Sequence, residues 1–154
     1  MSNCTPRPLF SLAAIFLLLA GCAGSDAAKL TGRYTLESAT SAQWTNGATL
    51  TPPTITGVLL LNQNRFGVEG AYGIAKMELI LSSSGPTGGQ SVDWNGSYSN
   101  YPGGDMAMRL NDIRFEGEHI VDDDLLTTTL SGEFSGSGPS PVGTLVWKRE
   151  PESS

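Results

Sequence analysis

"LTGRYTLES", Leu30–Ser38, sets the fold. Leu30, Gly32, Tyr34 and Leu36 share one face, while Thr31, Arg33, Thr35 and Glu37 share the other. Side chains alternate across a strand, so the stretch reads as a half-buried β-strand with its aromatic inside. The same alternation returns in Phe66, Val68, Gly70 and Tyr72, and in Val92, Trp94, Gly96 and Tyr98. No segment after residue 30 carries a 3.6-residue apolar period, which predicts an all-β domain.

Eight strands are predicted, near 30–39, 55–62, 65–73, 74–82, 90–99, 105–117, 126–134 and 142–149. "LTGRY", "VEGAY", "WNGSY" and "LSGEF" each place a glycine two residues before an aromatic, at Gly32, Gly70, Gly96 and Gly132. An inward glycine makes room for a ring and lets a strand coil. Four such devices suit a small closed antiparallel barrel better than an open sandwich. Asn62-Gln63-Asn64 reads as a hairpin turn, and three Gly/Pro/Ser-rich stretches read as loops. The connection Thr40–Thr54 is long, with Trp44 inside it, and loops of that length are often functional.

The ends address location. Arg7 precedes an apolar run, Leu9–Ala20, of about a dozen residues, short of the roughly 20 that span a bilayer and right for a secretory signal. It ends in Leu19-Ala20-Gly21-Cys22, which resembles the bacterial lipobox. That resemblance implies a signal peptide over 1–21, and Cys22 as an acylated first residue of the mature protein, carrying palmitate-type chains. It also implies a lipid anchor in the cell envelope. Ala23, in place of Asp, resembles the pattern sent on to the outer membrane where the host has two membranes. Residues 22–29 would form a short tether, 30–149 the barrel and 150–154 a polar tail. Cys4 would leave with the signal, so no disulfide is expected in the mature chain.

The 154 residues hold nine Lys or Arg against fifteen Asp or Glu, a net charge of −6. That balance opposes nucleic-acid binding, which needs clustered cations. Nucleophilic catalysis needs a nucleophile, a base and an orienting group. After Cys22 the chain has one histidine, His119, in the acidic stretch "FEGEHIVDDD", where it reads as a solvated residue. Asp122, Asp123 and Asp124 lack the alternate spacing and glycine of a calcium loop. No enzyme, cofactor or metal centre is expected.

"LTGRYTLES" at the start, the long first loop, the paired second and third strands, and "GTLVWKRE" at the end resemble the lipocalin-like, calycin-type domains of bacterial lipoproteins. The resemblance implies an eight-stranded up-and-down barrel. It also implies a closing contact in which a basic residue after the last strand, Arg149 or Lys148, packs on the first-strand aromatic, here Tyr34 beside Gly32. An apolar interior would then take a small apolar or amphipathic ligand, a lipid among them. Its candidate contacts are Tyr34, Trp44, Phe66, Tyr72, Met77, Trp94, Tyr98, Met106, Met108 and Phe134, with the 40–54 loop a partial lid. The alternative is a packed barrel whose loops at 40–54 and 117–125 contact an envelope protein, as an interaction or hydrolase-inhibitor module.

Overall fold

The computed structural model describes residues 27–67, 69–82, 89–136 and 138–152. The signal segment and Cys22 lie outside them. The strands are β1 (Gly32–Thr40), β2 (Thr49–Leu50), β3 (Ile55–Gly67), β4 (Gly70–Leu81), β5 (Gln90–Asn100), β6 (Asp105–Leu110), β7 (Ile113–Asp122), β8 (Leu125–Ser131) and β9 (Gly143–Arg149). There is no helix among the described residues. β1 and β3–β9 pair antiparallel in chain order, and β9 returns to β1 from Tyr34↔Arg149 to Thr40↔Thr144. This is a closed eight-stranded up-and-down barrel. Closure satisfies the strand edges that an open sheet leaves to aggregation. The two-residue β2 adds to the far end of β1.

Three boundaries differ from the sequence reading. Asn62-Gln63-Asn64 is no turn. It lies inside β3, with an irregularity between Gln63 and Arg65. Gln63 faces inward, and its Oε1 accepts the Leu30 N–H at 3.0 Å. The predicted break at 73/74 is absent too, because Gly73 is mid-strand in β4, opposite both Gln63 and Tyr98. The predicted strand 105–117 is a hairpin, turning at Asn111 (φ 48°) and Asp112 (φ 65°). Two left-handed residues make the tight turn that matches strand twist, and Asn and Asp tolerate that conformation. Asn111 braces the turn, accepting the Asn95 N–H (3.0 Å) and donating to the Asp93 carbonyl (2.8 Å). One strand too many before residue 82 and one too few after 105 leave the count at eight.

The topology gives the barrel two ends. At the closed end lie the start of β1, the end of β9, the β3–β4 hairpin and the β5–β6 and β7–β8 connections. At the mouth end lie the 41–54 connection, the Asn111-Asp112 turn and the 132–142 connection. Between them runs one continuous core, in which Trp94, Trp147 and Phe115 are the largest of the fully buried side chains. Trp94 meets Phe115 edge-on (5.6 Å, 85°) and Phe134 likewise (5.0 Å, 69°). Of the four glycines, Gly32 lies against the Tyr34 ring on its own strand and Gly132 makes room for a ring across strands, whereas Gly96 is hemmed in by the Arg109 carbonyl. Gly73, outside that set, also makes room for a ring. A Cβ on Gly132 would stand 2.7 Å from Phe115 Cδ1, and one on Gly73 would stand 2.7 Å from Tyr98 Cε1.

Candidate functional site

The closed end is assembled around Arg149, the basic residue that meets Tyr34. Lys148 points outward to Asp124 instead (3.8 Å). Arg149 Nη2 donates to Tyr34 Oη at 2.7 Å and to the Lys29 and Thr31 carbonyls at 3.2 Å each. Its guanidinium carbon sits 5.2 Å from the Tyr34 ring centroid. Tyr34 Oη in turn donates to the Leu30 carbonyl (2.8 Å), and Asn100 Nδ2 to the Ala28 carbonyl (2.8 Å). The segment before β1 is thereby laced across the bottom of the barrel. Burial raises the Tyr34 phenol above its ordinary range, with Arg149 opposing the rise. Burial raises Tyr98 much further.

The ten residues expected to contact a ligand separate into four groups. Tyr34 belongs to the closed end. Met77, Trp94, Tyr98, Met106 and Met108 do point into the barrel, but each is 3% exposed or less and all join one core. Trp44 and Phe134 are half-buried at the mouth, where they line a cleft of about 370 Å³ with Leu81, Gln90 and Ser140. Phe66 and Tyr72 are not interior, being 67% and 40% exposed. Phe66 stands opposite the inward Ala71, yet at the hairpin end, past the rim. Tyr72 is on the outer face, because β4 turns Ala71, Gly73, Ala75 and Met77 inward. The chain reverses between β3 and β4, so alternation cannot be carried from Phe66 through to Tyr72.

Trp44 is held in place at the mouth. Its Nε1 donates to the Val142 carbonyl at 2.9 Å, tying the 41–54 connection to the 132–142 connection. The turn beneath it is closed by Thr45, whose N–H reaches the Ser41 carbonyl (3.1 Å) and whose Oγ1 accepts the Ser41 N–H (2.9 Å). The two loops named for a partner, 40–54 and 117–125, lie at opposite ends of the barrel. Most of 117–125 is not loop but strand, the end of β7.

His119 is the largest departure from the sequence reading. It shares the inner face of β7 with Phe115 and Gly117 and is 6% exposed. Burial lowers its pKa from the ordinary 6.5, with a hydrogen bond to Gly104 and the Asp105 charge opposing. The native barrel therefore disfavours the charged imidazole and binds fewer protons there than the unfolded chain. Its contribution to stability is complete above about pH 6.5 and is lost as pH falls through the window below it. Thermal unfolding should show a lower Tm at pH 5 than at pH 7.5, and His119→Leu should remove most of that difference. An equal drop in the variant would assign it to the carboxylates.

Asp123 (φ 51°) makes the β7–β8 turn, and no group of three or more His, Cys, Asp or Glu gathers for a metal among the described residues. The chain matches no protein-family model, no curated protein and no solved structure.

Proposed function

We propose that this chain is a lipid-anchored protein of the bacterial envelope, held through Cys22, whose packed barrel is a rigid scaffold for recognition at its surface. One observation carries the reading. The residues that would have lined a ligand cavity, Trp94, Tyr98, Met77, Met106 and Met108, are the core itself. Small barrels either fill with side chains or hold a ligand, and this interior is occupied.

The lacing at the closed end supports an orientation. Six residues of chain lead from Cys22 to Ala28 and can reach at most about 20 Å, so the closed end rests near the bilayer. The mouth, with its fixed Trp44 loop, then points away from the membrane, toward a partner protein. A second reading keeps the small ligand but moves it. The Trp44–Phe134 cleft, about 370 Å³ in volume, is large enough for a small apolar group.

Native mass spectrometry of residues Ala27–Ser154, after exposure to host lipids, separates the two. The scaffold reading expects a bare mass. A stoichiometric added mass that disappears in Trp44→Ala would establish a ligand at the mouth. Labelling whole cells with palmitate tests the anchor, which Cys22→Ser should abolish.

A further inference from the structure

The outer wall carries a groove of about 710 Å³ across β3–β7, away from the Trp44 cleft. Strand register shapes it. One row across the sheet reads Arg65–Tyr72–Ser99–Ala107–Glu116, and the next includes Ser97–Arg109–Arg114. The small side chains, Ser97, Ser99 and Ala107, fall in the middle and form a floor. Tyr72 rises on one side with Tyr101 edge-on to it (6.3 Å, 89°). Arginines stand on both flanks.

The charge here runs against the rest of the molecule. In a chain of net charge −6, three of the nine cationic side chains line this groove, and Asp112 is the one acid among its lining residues. Arg109 rests on Asp112 (3.5 Å) and Arg114 on Glu116 (2.6 Å), all four well exposed. Exposed pairs of this kind contribute little, so both guanidiniums can turn to a ligand's anions.

We propose that this groove binds an anionic oligosaccharide. From β3 to β7 is four strand spacings, about 19 Å along the sheet, so one small anion cannot engage both flanks. The occupant must be extended and carry several charges. The exposed Tyr72 ring and the half-buried Tyr101 offer surface for sugar C–H groups, the serine hydroxyls match sugar hydroxyls, and guanidinium pairs with carboxylate, sulfate or phosphate. An acidic peptide would draw its main-chain affinity from a free strand edge, and closure of the barrel leaves none on this wall.

The test is calorimetric titration of the mature protein in neutral detergent at low salt, with amide shifts recorded by NMR. The probes are hexagalacturonate and a sulfated hexasaccharide, with maltohexaose and hexaglutamate as comparisons. At least one anionic saccharide should bind, with shifts centred on Ser97, Ser99 and Ala107, and maltohexaose should not. Arg65→Ala with Arg109→Ala should weaken binding at least tenfold without lowering Tm, since both side chains are exposed. Tyr72→Ala should weaken the saccharide at least fivefold. The proposal is overturned if neither anionic saccharide binds, if the double variant binds as well as the parent, or if hexaglutamate binds more tightly than both saccharides.

Discussion

Replacing Arg149 with Ala should cost about 2–4 kcal/mol of stability and free the segment before β1. Each hydrogen bond to a charged group is worth about 1.5–3 kcal/mol net, and bonds sharing one guanidinium are not additive. Arg149 serves Tyr34 Oη and the Lys29 and Thr31 carbonyls together, and its loss leaves a phenol that is 2% exposed with only its own bond to the Leu30 carbonyl. Denaturant unfolding reads the cost as a lower midpoint. Hydrogen exchange reads the location, as faster exchange at Leu30, whose N–H is held by Gln63. Arg149→Lys should recover less than half, because an ammonium has no second nitrogen to hold Tyr34 Oη as Nε does at 3.2 Å and no guanidinium plane to lie against the Tyr34 ring. A loss below about 0.5 kcal/mol would show that packing alone closes this end.

The closing contact was legible only as what the resemblance to lipocalin-like domains implies, a basic residue after the last strand set on the first-strand aromatic. Tyr34 sits two residues after Gly32 on the buried face of the first strand, and Arg149 ends the last. Once eight strands close, the first and last must meet. Lys148 and Arg149 were separable only by strand parity, which tertiary register sets. Hairpin positions were less legible. Asn62-Gln63-Asn64 has turn composition, but Gln63 is drawn inward by the Leu30 N–H, a partner 33 residues away. The true turn, Asn111-Asp112 between Leu110 and Ile113, carries a readable signal, masked by the apolar residues that recur on both sides of it through 105–117.

His119 follows from the same turn. Read as part of an acidic loop it is solvated, whereas read as two residues beyond Gly117 and four beyond Phe115 on a continuing strand it is inside. The outer groove had no local signal at all. Arg65, Tyr72, Ser99 and Arg109 are dispersed along the chain, and only the pairing of β3 through β6 sets them side by side. Their types could be counted in the sequence, but their adjacency could not.

Trp94→Ala should produce the other large effect and decide what the barrel interior is for. Trp94 is 2% exposed, directly below the mouth, with Phe115 and Phe134 against its ring. Truncating a buried tryptophan costs about 3–5 kcal/mol, combining lost transfer energy with the cavity left behind. A domain of ordinary stability, about 5–15 kcal/mol, survives this with its Tm lowered by about 10–20 °C. The new cavity is apolar and should take up a fluorescent apolar probe, N-phenyl-1-naphthylamine, in one-to-one ratio. The parent should bind none, because its interior is already occupied. Trp94→Leu leaves a smaller space, so it should be milder in stability and weaker in uptake, which keeps the test readable if the alanine variant does not fold. Stoichiometric uptake by the parent, competed by lipid, would mean that the core side chains yield to a ligand, and the interior would again be the binding site. Uptake confined to the Trp94 variants would make the tryptophan the plug that turns a carrier-shaped barrel into a scaffold.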